Sequence, residues 1–139
     1  MPLKIILAIL LALGLTTSST IASSPDPTGN FTFPNISYVE GGSITFTVSR
    51  VTHVTKNDEV TLGIWCFAPD GSQLLIGNRN NPYIYEFNSF GGFVSPQVWS
   101  PPINGTGYDC TARLVAVDWF KGTPVRAWTL DEHQFSVGV

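Results

Sequence analysis

Apolar and polar residues alternate along much of this chain. Residues 43–49 (SITFTVS) put Ile44, Phe46 and Val48 on one side and Thr45 and Thr47 on the other. Such a period of two predicts a half-buried strand. Residues 60–68 (VTLGIWCFA) align Val60, Leu62, Ile64 and Cys66 against Thr61, Gly63, Trp65 and Phe67. The apolar weight of the first set predicts that Cys66 faces in and Trp65 faces out. Residues 108–119 (YDCTARLVAVDW) repeat the pattern, with Tyr108, Cys110, Ala112, Leu114 and Ala116 on one side.

Weaker alternation predicts strands over 74–76, 83–87, 93–99 and 125–137. Residues 31–38 (FTFPNISY) read as an edge strand, because Pro34 cannot donate to a ladder. Turn chemistry separates these runs: Gly41-Gly42, residues 56–59, Pro69-Asp70-Gly71-Ser72, residues 77–82, residues 101–105 and Lys121-Gly122-Thr123-Pro124. No helical period occurs after residue 22. Short strands broken by Gly/Pro turns predict an all-β, antiparallel sandwich of about seven strands.

Residues 1–22 follow another rule. Lys4 precedes an uninterrupted apolar run over 5–15, then a stretch of small polar residues. This is the pattern of a secretory signal peptide, with the cut expected after Ala22. The run is shorter than the roughly 20 residues that span a bilayer. The expected layout is a signal peptide over 1–22, a flexible leader and edge strand over 23–37, and a β-sandwich domain over 38–139. The mature protein is expected to be secreted, with no membrane insertion.

Export changes how the two cysteines read. In an oxidising compartment Cys66 and Cys110 are expected to form a disulfide. Charged residues make up only 12% of the chain, and the net charge is −3. That balance offers no electrostatic footprint for nucleic acid.

The run Gly105-Thr106-Gly107-Tyr108-Asp109-Cys110-Thr111-Ala112 resembles strand F of the immunoglobulin superfamily, where a Tyr stands two residues before a Cys. Residues 64–71 resemble strand C and its hairpin, and residues 40–46 the start of strand B. The resemblance implies an immunoglobulin-like or fibronectin-III-like sandwich with a tyrosine corner at Tyr108. Phe46 and Val48 stand where the strand-B cysteine would fall, so a Cys66–Cys110 bridge differs from the usual inter-sheet link.

Catalytic spacing is sparse. No nucleophile-elbow, zincin or EF-hand motif occurs, and no cofactor or metal site is expected. Asp131-Glu132-His133 reads as a solvated turn, since strand neighbours point to opposite faces. Asp109 and Asp118 fall on opposite parity, which gives no support to a paired-carboxylate hydrolase. The aromatic residues are the stronger candidates: Trp65, Trp99, Trp119 and Phe120 would bind a protein or glycan if exposed. Asn30, Asn35 and Asn104 each begin an Asn-x-Ser/Thr glycosylation pattern. The chain is therefore expected to be a secreted, non-catalytic immunoglobulin-like module for extracellular or cell-surface protein interaction. A carbohydrate-binding module is the first alternative and a small secreted hydrolase the second.

Overall fold

Alternation decides the architecture. A computed structural model describes residues 25–72, 85–92 and 95–139. The expected signal segment and the strand and loop expected over 74–82 lie outside the described residues. The strands are β1 (Phe31–Thr32), β2 (Tyr38–Val39), β3 (Ile44–Val48), β4 (Asp58–Phe67), β5 (Tyr85–Phe90), β6 (Gln97–Trp99), β7 (Tyr108–Phe120) and β8 (Thr123–Gly138). No helix occurs among the described residues. One sheet has the order β1-β3-β6 and the other β2-β8-β7-β4-β5. β2 runs parallel to β8, and every other pair is antiparallel.

The inward rows are those the alternation predicts. Ile44, Phe46 and Val48 of β3 meet Val60, Leu62, Ile64 and Cys66 of β4 and Tyr108, Cys110, Ala112 and Leu114 of β7 in one buried core. Register matches large to small: Ile64 lies opposite Ala112, and Val60 opposite Ala116. Aromatic rings join the two sheets. Phe135 of β8 stands 6.2 Å from Phe46 and 6.0 Å from Trp99.

Residues 31–38 do not make one edge strand. The chain pairs with β3 through β1, crosses between sheets, and pairs with β8 through β2. Pro34 breaks the ladder at the crossing, and its carbonyl accepts hydrogen bonds from the Ile36 amide (3.0 Å) and the Tyr38 hydroxyl. Phe31 is buried and Phe33 packs against the core, so the segment expected as an edge strand contributes two rings to it.

β7 and β8 form a hairpin closed by Lys121 and Gly122, whose φ angles are +50° and +75°. Two consecutive positive φ values are those of a type I′ turn, which suits strand twist. β8 carries two register shifts against β7, next to Leu114 and Asp118. They skip Leu130 and Val125.

Candidate binding surface

The five-stranded sheet turns its other face away from the core. From β4 it presents Glu59, Thr61, Gly63, Trp65 and Phe67, and from β7 Thr111, Arg113, Val115, Val117 and Trp119. Gly63 lies opposite Arg113 on one side and Glu86 on the other. A glycine there leaves a gap in the side-chain layer, and a depression of about 190 Å³ results. Val115 and Val117 line its apolar part, Trp65 and Arg113 stand at one end, and Glu59 and Glu86 supply carboxylates.

The Arg113 guanidinium lies 4.8 Å from the Trp65 ring centroid and pairs with Glu132. Its charge is thereby spent within the face, and Arg113 acts as a wall more than as a free cation. Thr61 donates to Asn88 Oδ1 at 2.7 Å, tying the β4 and β5 rows together.

The four candidate aromatics do not converge. Trp65 is half-buried on the outward row of β4, as parity predicts. Trp119 is half-buried on the outward row of β7, and its indole N–H is enclosed without an acceptor among the described residues. Since Trp65 registers with Thr111, eight residues and roughly 26 Å separate the two rings along the strand, at about 3.3 Å per residue. Phe120 is 64% exposed at the hairpin tip. Trp99 corrects the expectation of an exposed platform: it is only 4% exposed. β6 pairs with β3, Ile44 opposite Trp99, and that register turns the indole inward against Phe135.

Sequence reasoning did not single out Gly63, Val115 or Val117. The available signal was a glycine inside a strongly apolar strand, which marks a close approach or a gap.

Cys66 and Cys110 form the disulfide, as expected from export. They are direct partners in the β4–β7 ladder. Two residues earlier, the buried Tyr108 hydroxyl donates to the Pro102 carbonyl at 2.5 Å. The loop before it wraps a carboxylate: Glu40 accepts the amides of Asn104 (3.0 Å), Gly105 (2.7 Å) and Gly107 (2.8 Å). These bonds, the Gly105 amide foremost, hold the Glu40 carboxyl below its ordinary pKa. Burial, and then the Glu40 charge, push the Tyr108 phenol above its own. Gly107 has φ +66°, and a Cβ there would stand 2.9 Å from the Val137 carbonyl oxygen, so only glycine fits.

The other titratable groups are spread out. Asp131 Oδ2 accepts the Phe31 amide at 3.0 Å and lies 3.0 Å from His133 Nε2. Burial alone raises the Asp131 carboxyl, but the bonds from Phe31, His133 and Glu132 outweigh it and leave the pKa lowered. Glu132 points the other way, to Arg113. No group of three metal-ligating side chains occurs among the described residues. Asp109 bonds to Ser136 at one end of β7, and Asp118 registers with Arg126 near the other.

The acceptor residues Asn30, Asn35 and Asn104 are all exposed. An open cleft of about 680 Å³ beside the β1–β2 crossing is walled by Phe33, Tyr38 and Phe135, and Asn35 lines it too. No protein-family model, curated protein or solved structure matches this chain.

Proposed function

We propose that this chain is a secreted, non-catalytic immunoglobulin-like module that binds an extracellular or cell-surface protein through the outward face of its five-stranded sheet. The observation that carries this reading is the depression at Gly63, set across β7, β4 and β5 of that sheet. It offers apolar contact at Val115 and Val117 and the carboxylates of Glu59 and Glu86, neither of which makes an ion pair among the described residues. Arg113 is already neutralised by Glu132. The matching partner is a protein surface with an apolar centre and a Lys/Arg rim.

The immunoglobulin-like assignment draws support from two features. The Tyr108–Pro102 bond, two residues before Cys110, has the form of a tyrosine corner. The β8-β7-β4-β5 order puts the strands resembling F and C side by side. Secretion draws support from the disulfide, which fits an oxidising compartment. No helix among the described residues is long and apolar enough to cross a membrane. Carbohydrate binding across a flat aromatic platform is less favoured, because Trp99 is in the core and Trp65 and Trp119 lie far apart.

Fluorescent tetramers of the domain on extracellular surfaces of its source test this reading. Val115→Lys and Glu86→Lys should each lower binding about tenfold or more, as one disrupted central contact does. Protease treatment of the surface should abolish the signal. Binding that survives protease but disappears after glycosidase treatment would replace the protein partner with a glycan.

A further inference from the structure

β8 has 16 residues, and β2, its outer neighbour, has 2. β8 pairs with β7 from Thr123 to Val137, but with β2 only at Val137 and Gly138. The chain before β2 crosses from the other sheet around Pro34. Among the described residues, no strand pairs with residues 132–136 on that side. The open cleft of about 680 Å³ lies there, with His133 to Ser136 on one side and the crossing from Phe33 to Tyr38 on the other.

In a strand, the N–H and C=O of one residue point to the same side, and those of the next residue to the other. The Gly138 carbonyl accepts the Glu40 amide at 2.8 Å, so Gly138 faces the β2 side. No register shift falls between Asp131 and Val137. The main-chain groups of Glu132, Gln134 and Ser136 therefore face that side too. Asp131 Oδ1 accepts the Glu132 amide at 2.9 Å. The Gln134 N–H and C=O have no partner among the described residues. Gln134 and Ser136 line the cleft through their main chain, because their side chains stand on the outward row beside Thr111 and Asp109. The Ser136 hydroxyl is bonded to Asp109 there, at 2.6 Å. Rings adjoin this bare edge. The Phe135 centroid is 5.3 Å from that of Phe33 and 5.9 Å from that of Tyr38. His133 lies edge-on to Phe33 at 5.8 Å, with Nε2 held by Asp131. Ile36, which also lines the cleft, is 63% exposed.

We propose that this cleft takes an extended peptide as an added strand on β8, over a stretch of about five residues. The peptide main chain would pair with Gln134, and an apolar side chain would fill the space beside Phe33, Tyr38 and Phe135. An unpaired N–H and C=O on one residue, next to an aromatic recess, match a ligand that carries both groups at strand spacing with an apolar side chain alongside. A polypeptide supplies all three. A flat aromatic molecule would cover the rings and leave the Gln134 pair unmatched. Residues 133–136 contain no proline, lysine or arginine, and proline and charged side chains are what commonly shield a sheet edge. The site is separate from the Gly63 depression: Phe135 belongs to the inward row of β8, whereas Val115 and Val117 belong to the outward row of β7.

Amide hydrogen exchange and a titration followed by nuclear magnetic resonance test this on the full, oxidised protein. The probe is the capped heptapeptide Lys-Thr-Phe-Thr-Val-Thr-Lys. Without peptide, the Gln134 amide should exchange quickly and the Phe135 amide, bonded to β7, slowly. Saturating peptide should slow Gln134 exchange at least about tenfold, and the dissociation constant should fall below about 1 mM. Two further peptides carry N-methyl groups, one on the amides of the three Thr residues and one on those of Phe and Val. Alternate amides of a strand face opposite sides, so one of these peptides should bind at least about tenfold more weakly and the other about as well as the parent. Gln134→Pro removes an N–H that β7 does not use, and should weaken binding by a similar factor. Val115→Lys should bind peptide like the wild type even if it abolishes partner binding, so the two surfaces fail separately. Equal affinity for both methylated peptides, or equal loss with both, would overturn the proposal, because neither result is that of a strand paired along one edge. So would binding that leaves Gln134 exchange unchanged, the absence of binding at about 1 mM peptide, or protection of Gln134 by self-association of the protein alone.

Discussion

Cys66 and Cys110 face each other directly across β4 and β7, with Cα atoms 4.0 Å apart. The disulfide therefore fastens one sheet to itself. Adhesion between the two sheets rests on the buried rings of Phe31, Phe46 and Trp99 and on the half-buried Phe135 packed against them.

Removing the bridge should lower stability without dissolving the sheets. The cysteines are 44 residues apart, and constraint of the unfolded chain over such a loop contributes about 4 kcal/mol. A Cys66→Ala/Cys110→Ala double variant should show that loss in urea denaturation, with a β-type circular dichroism spectrum in buffer.

Phe46 should matter about as much as the disulfide. It is fully buried and touches Phe31, Phe33 and Phe135. Phe46→Ala removes the ring and leaves a cavity, a change that costs about 3–5 kcal/mol. Denaturation midpoints measured under identical conditions should place the two variants close together.

Acid should loosen the loop before β7. Glu40 and Asp131 both titrate below their ordinary values in the folded protein. Their contribution is complete above the unfolded pKa of about 4 and is lost as pH falls through the lower folded values. The melting temperature should thus drop on acidification below about pH 4. Glu40→Gln should already melt lower at neutral pH and lose less on acidification.

The hairpin turn needs its glycine. Gly122 has φ +75°, and nothing lies near a Cβ built there, so the cost of a side chain is conformational alone. Gly122→Ala should lose about 1–2 kcal/mol. That loss should be visible by calorimetry.

Much of the fold was legible because parity is a local property. The rows through Ile44–Val48, Val60–Cys66 and Tyr108–Ala116 could be assigned from side-chain type alone, and so could the inward Cys66. Two matters were not local. The division of residues 31–38 between two sheets depends on where β8 lies. The fate of Trp99 depends on which strand takes β6 as its neighbour. The candidate surface was half legible: Trp65 could be placed outward, but the depression beside it exists because a missing side chain at Gly63 falls between Arg113 and Glu86 in the two flanking ladders. A surface set by register across strands leaves only a faint mark in a linear chain.

The most direct measurement for the central claim is hydroxyl-radical footprinting of the domain, free and bound to a protein captured from its extracellular surroundings. The Trp65 and Val117 side chains should lose reactivity on binding, while Phe33 and Tyr38 in the cleft beside β8 keep theirs. Protection of Phe33 and Tyr38 with Trp65 and Val117 unchanged would contradict the assignment of the binding face.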